Sequence, residues 1–160
     1  MIKTIIGDLL EANEKYILHQ TNCLSTGFAA GLAYYLFQKF SYADCYSDRT
    51  SPSEPGAIDI RGNGIDQRYV VNLMGQYAPG SFHDDFPRDT QAIRQKYFHK
   101  ALIRLAKIPN LESVAFPYSV GCGIAGGNWQ WYLGTIKNFA QYIEESQEAT
   151  VSIYQREEDL

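Results

Sequence analysis

The chain has 160 residues, 45% of them hydrophobic and 20% charged, and a net charge of −4. That size favours one domain able to bury about 70% of its unfolded surface. The acidic balance removes the electrostatic case for binding a long nucleic acid backbone. A small anion stays open, because backbone N–H dipoles act locally whatever the net charge.

Ile2 to Ile6 is a short apolar run and predicts a first strand, ending at Gly7-Asp8. It is too short for a signal peptide, and no stretch approaches the ~20 apolar residues of a membrane span. The three cysteines, Cys23, Cys45 and Cys122, are an odd set without a C-x-x-C pair. They suggest neither a disulfide framework nor a zinc site, and reduced thiols fit a cytoplasmic, soluble protein. No metal-ligand spacing and no cofactor motif is evident, so none is expected.

Tyr16 to His19 predicts a second strand, followed by the polar run Gln20-Thr-Asn22-Cys23. Leu32, Leu36 and Phe40, at i, i+4 and i+8, predict a helix starting near Gly31. Ser47 to Gly56, rich in Ser, Pro and charge, reads as a surface loop. Ala57–Ile60 and Tyr69–Leu73 read as strands of a hairpin around Gly62-Asn63-Gly64. Residues 78–89 form a long loop with two prolines and a glycine, a length often tied to function. The next helix carries Ile93, Tyr97, Ala101 and Leu105 on one face, with Phe98 and Leu102 alongside, and Pro109 ends it.

Val114 to Phe116 predicts a buried strand, and Asn128 an N-cap for the helix bearing Tyr132, Ile136, Phe139 and Ile143. Between them lies Ser119-Val-Gly-Cys-Gly-Ile-Ala-Gly-Gly-Asn128. Its four glycines let the backbone approach a ligand, and free N–H groups at a helix start suit phosphate. Gly121, Gly123 and Gly126 also spell G-x-G-x-x-G. Only 34 residues follow Gly126, so the spacing does not predict a dinucleotide-binding Rossmann layout. Thr150–Tyr154 predicts the last strand, and residues 156–160 a charged, frayed tail. The interleaved elements predict an α/β fold, with helices on both faces of one mixed sheet.

Three further features carry chemistry. Asp8, before Leu9, has the chemistry to accept a hydrogen bond from an amino group, and a turn or helix cap is the plainer reading. His19 is a candidate acid or base, or a satisfied core histidine. Asn22 has the groups to hold a ribose hydroxyl. The small residues Gly27, Ala29, Ala30 and Gly31 present N–H groups to an anion, or serve close helix packing. Two such loops suit two linked phosphates.

Gly-Asp-Leu, His-x-x-Asn-Cys, small-Gly-Leu-Ala and Pro-x-Ser-x-Gly-Cys-Gly-x-x-Gly-Gly-x-Trp, in this order, resemble the macrodomain family. The resemblance spans Met1 to about Tyr154. It is nearest the branch of ADP-ribose 1″-phosphate phosphatases and terminal ADP-ribose protein glycohydrolases. It implies a single macrodomain over residues 1–155, a three-layer α/β/α fold with a six-stranded mixed sheet, and ADP-ribose or ADP-ribose 1″-phosphate as ligand. It places Asp8 at adenine, Leu9 among the ligand-binding residues, Asn22 at the distal ribose and Tyr154 over adenine. Gly27, Ala29, Ala30 and Gly31, with Ser119, Val120, Gly121, Cys122, Gly123, Ile124, Ala125 and Gly126, would wrap the diphosphate.

Gln76 stands where the glycohydrolase has lysine, and Ala125 where it has aspartate. Neither serves as nucleophile or base, and Gly123-Ile-Ala-Gly-Gly-Asn-Trp129 looks instead like the phosphatase side of the branch. His19 would then transfer the proton and Asn22 position the ribose, with His83 and Asp85 as loop candidates. A non-catalytic reader, and a hydrolase of ADP-ribose linked to protein or nucleic acid, are the alternatives. ADP-ribosylated macromolecules are the further partners considered, and a monomer the expected state.

Overall fold

The computed structural model describes residues 2–160; Met1 lies outside the described residues. Six strands form one sheet: β1 (Ile2–Ile6), β2 (Tyr16–Asn22), β3 (Ile58–Arg61), β4 (Tyr69–Gln76), β5 (Ser113–Pro117) and β6 (Thr150–Gln155). Their order is β1-β6-β5-β2-β4-β3. All neighbours are parallel except β3 and β4, the expected hairpin. At Gly62, φ is +100°, and a Cβ there would meet the Arg68 carbonyl at 2.2 Å. Only glycine makes that turn.

Three helices cover the sheet: α1 (Leu32–Lys39), α2 (Gln91–Ala106) and α3 (Trp129–Gln147). Side chains alternate along each strand and so build two cores. Leu18, Leu73, Phe116 and Ile153 face α2 and α3, meeting Phe98, Leu105, Tyr132 and Ile136. Ile17, Val70, Met74 and Ala115 face α1, meeting Ala33, Leu36 and Phe37. The result is the three-layer α/β/α architecture.

Asn128 caps α3 as expected, accepting from Gln130 N at 3.0 Å. The buried stripe of α2 differs from the expected one. It runs through Arg94, Phe98, Ala101, Leu102 and Leu105, while Ile93 and Tyr97 are only partly buried. An arginine takes a core position because a buried aspartate meets it there. Glu157–Asp159 forms a 3-10 turn, closed by Asp159 N donating to Arg156 O at 3.0 Å. No described helix is long and apolar enough to cross a membrane.

Candidate functional site

The C-terminal ends of β2, β4, β5 and β6 open into a cleft of 590 Å³. This is where open α/β sheets place ligands. Arg156 and Asp159 stand at the β6 end, and Asn22, Tyr46 and Gln76 at the β2–β4 end. Between them the walls come from the start of α1 and from the glycine-rich loop after β5.

That loop turns sharply. Val120 N donates to Pro117 O, Cys122 N to Ser119 O, Gly126 N to Gly123 O and Gly127 N to Gly121 O. The N–H groups of Ser119, Gly121, Gly123, Ile124 and Ala125 have no acceptor among the described residues. Gly121 has φ +75°, and a Cβ would strike the Tyr132 ring at 2.7 Å. Across the cleft, Gly31 caps α1 without a side-chain bond; Tyr34 N donates to Gly31 O at 3.2 Å, and the N–H groups of Leu32 and Ala33 have no acceptor among the described residues. The two walls touch, since a Cβ at Gly31 would lie 3.1 Å from Ile124 Cδ1. Arg156 is the one cationic side chain among the described residues lining the cleft, so an anion would be met by backbone dipoles.

A buried ion pair fastens these walls. Arg94 and Asp89 are 2% and 0% exposed and meet at 2.6 Å. Asp89 also accepts from Tyr77 N and Ala78 N. Arg94 donates to Gly80 O at 2.8 Å, Ala78 O at 3.2 Å, Ser81 O at 3.3 Å and Ala125 O at 3.4 Å. The 78–89 loop is thereby tied to the glycine-rich loop.

The structure brings most of the expected residues to the cleft: His19, Asn22, Ala30, Gly31, Ser119, Val120, Gly121, Cys122, Gly123, Ile124 and Ala125. Asp8, Leu9, Gly27, Ala29, Gly126 and Tyr154 do not line it. Asp8 caps the short turn Leu9–Glu11, accepting from Leu10 N at 2.9 Å, the plainer of its two readings. Leu9 and Ala29 pack in the α1-side core. Gly27 stands in open space and Gly126 turns toward Ser81. Tyr154 donates its hydroxyl to Glu14 Oε1 at 2.6 Å. His83 and Asp85 are exposed on the loop, away from the cleft lining.

Two of the expected residues are engaged or buried within the protein. Asn22 spends its whole amide on its surroundings. Oδ1 accepts from Leu24 N and Ser25 N, and Nδ2 donates to Ser25 Oγ and Tyr46 Oη. It shapes the strand end and has no group left for a ribose. His19 is 1% exposed, and burial lowers its pKa to about 4. It is neutral at pH 7 and so a poor proton donor. Cys122 donates to Val120 O, and burial pushes its thiol up to about 11, away from the thiolate. At the β2–β4 end Gln20 Nε2 donates to Gln76 Oε1 at 2.8 Å, and Gln76 Nε2 to Ala78 O at 2.8 Å. Among the described residues no cluster of His, Cys, Asp and Glu has the arrangement of a metal site.

The sequence reading missed Tyr46, Gln20, Phe28, Arg156 and Asp159 in the cleft. It also missed the Asp89–Arg94 pair, whose one signal is an arginine four residues before Phe98 on the helix.

The His19 environment fixes a pH dependence. Its folded pKa of about 4 lies below the ordinary imidazole value of 6.5. Between those values the unfolded chain binds more protons, so stability rises with pH. The contribution is complete above about pH 6.5 and is lost as pH falls toward 4, by about 3 kcal/mol in all. Urea midpoints measured from pH 7.5 to 4.5 should fall more steeply for the wild type than for His19→Gln. Parallel slopes would mean that His19 is not held neutral.

No known family profile matches the sequence, and no curated protein matches it. Solved structures do match. The macrodomain of Mycobacterium tuberculosis DarG superposes with a TM-score of 0.71 at 19% identity, over 96% of this chain and 97% of that one. A Streptomyces coelicolor macrodomain protein gives 0.65 at 22% identity, over 97% and 99%. A Trypanosoma brucei macrodomain solved in complex with ADP-ribose gives 0.63 at 16%, over 99% and 65%. On fold and on these likenesses, the chain has the macrodomain fold.

Proposed function

We propose that the cleft binds ADP-ribose. The observation that carries this is the set of five loop N–H groups without internal acceptors, on the same cleft as the open Leu32 and Ala33 N–H groups at the start of α1. Backbone donors from two loops suit a diphosphate. The Trypanosoma brucei neighbour, solved with ADP-ribose, supports the same ligand class. The diphosphate lies between Gly31 and Ser119–Ala125. The adenosine extends toward Arg156, and the terminal ribose toward Tyr46 and Gln76.

Removal of a 1″-phosphate is the second reading. The N–H cluster favours it, since such donors stabilise charge building on phosphoryl oxygens. The β2–β4 end speaks against it, because Gln20, Gln76 and Asn22 are neutral and His19 is buried and uncharged. Recognition of ADP-ribose, free or attached to a macromolecule, is the better-supported conclusion.

Calorimetry with ADP-ribose tests it, with ADP-ribose 1″-phosphate incubated in parallel and released phosphate counted. Binding without release is the expected result. Release at a catalytic rate would restore the phosphatase, and the absence of binding would end the ADP-ribose reading.

A further inference from the structure

Two buried polar groups at the β2–β4 end of the cleft lack partners of opposite kind. Asn72 Nδ2 donates to Ala43 O at 2.9 Å and Asp59 Oδ2 at 3.1 Å, so its Oδ1 faces His19 Nε2 at 2.5 Å. That contact assigns the hydrogen to Nε2. Nδ1 is then a bare acceptor, buried without a partner among the described residues. The Tyr46 hydroxyl accepts from Asn22 N at 3.0 Å and Asn22 Nδ2 at 3.1 Å. Its own hydrogen has no acceptor among the described residues. The two rings stand edge-on to Phe37, each with its centroid 5.4 Å away. Both residues line the cleft, and Tyr46 is 4% exposed.

Folded proteins rarely leave a buried donor and a buried acceptor unmatched. We propose that Tyr46 and His19 together read a neutral hydroxyl of the ligand, Tyr46 Oη–H donating to it and His19 Nδ1 accepting from it. This rests on the ADP-ribose reading, in which the terminal ribose reaches this end and supplies the hydroxyl. A hydroxyl both donates and accepts. A phosphate or carboxylate oxygen has no hydrogen to offer Nδ1, and an ammonium has no lone pair for Tyr46. Burial keeps the imidazole uncharged, so the acceptor persists at neutral pH. A site built this way rejects a ligand lacking the hydroxyl, because both protein groups would then be left unpaired.

The test is calorimetry of the wild type, Tyr46→Phe and His19→Leu with ADP-ribose and with ADP, alongside thermal melting. The wild type should prefer ADP-ribose. Each variant should lose roughly tenfold in ADP-ribose affinity, the worth of one hydrogen bond, with ADP affinity unchanged. Equal losses for both ligands, or a lower melting temperature with no change in affinity, would assign the pair a structural role and overturn the proposal. So would a wild type that binds both ligands equally, while ADP-ribose binding itself stood. A wild type that binds neither would remove the ADP-ribose reading and the pair with it. Should either variant fail to fold, wild-type binding of ADP-ribose lacking its 2″- or 3″-hydroxyl decides the matter. One of the two should lose roughly tenfold, and full affinity for both refutes the pair.

Discussion

Arg94→Met should lower the unfolding free energy by about 3–5 kcal/mol, the range for breaking one side of a buried ion pair. The loss has two parts. Asp89, 0% exposed, would keep its carboxylate with only the Tyr77 and Ala78 N–H groups to meet it. The carbonyls of Gly80 and Ser81 would also lose the guanidinium that binds them. Methionine replaces much of the volume, so cavity formation adds little. Urea denaturation gives the value directly. A loss below about 1 kcal/mol would mean that the pair is no better than a surface salt bridge. The double variant Asp89→Asn, Arg94→Met should lose less than the sum of the singles, because it removes the stranded charge as well. ADP-ribose affinity should fall with Arg94→Met although the side chain lies behind the wall, since Ala125 O is one of its acceptors.

Gly123→Glu should reduce ADP-ribose affinity about a hundredfold or more and leave the melting temperature nearly unchanged. A Cβ at Gly123 meets nothing within 4 Å, so the backbone accepts the new side chain. The carboxylate would then stand beside the diphosphate. Two like charges about 5 Å apart at a protein surface repel by roughly 3 kcal/mol, enough for that factor. Gly123→Gln separates charge from bulk and should lose much less. Titration calorimetry on both variants checks the effect. Full affinity in Gly123→Glu would place the anion elsewhere. The same change at Gly121 would be uninformative, because the Tyr132 ring leaves no room for a side chain there.

The strands and helices were legible because their signals are local. Ile2–Ile6, the Gly62–Gly64 turn and the Asn128 cap each rest on neighbours in sequence. The glycine-rich loop was legible for the same reason, and its backbone donors are what the structure shows. The start of the α2 stripe was misread, with Ile93 and Tyr97 named and Arg94 missed, because a charged residue does not count as apolar, and only the fold reveals the aspartate that neutralises Arg94. Tyr46 was hidden for a similar cause. It sits in a loop, yet contacts with Asn22 and Phe37, distant in sequence, carry its hydroxyl to the cleft. His19 was found as a residue, but its charge state depends on burial and its tautomer on Asn72, and neither is a sequence property.

The loop groups proposed to meet the anion belong to the main chain rather than to side chains. Every residue except proline supplies the same N–H. What the site requires along Ser119–Ala125 is therefore a path through space, pinned at Gly121, while at Gly123 an uncharged side chain has room and only a negative charge conflicts with the anion. A recognition surface of that kind can outlast the spelling of its own sequence.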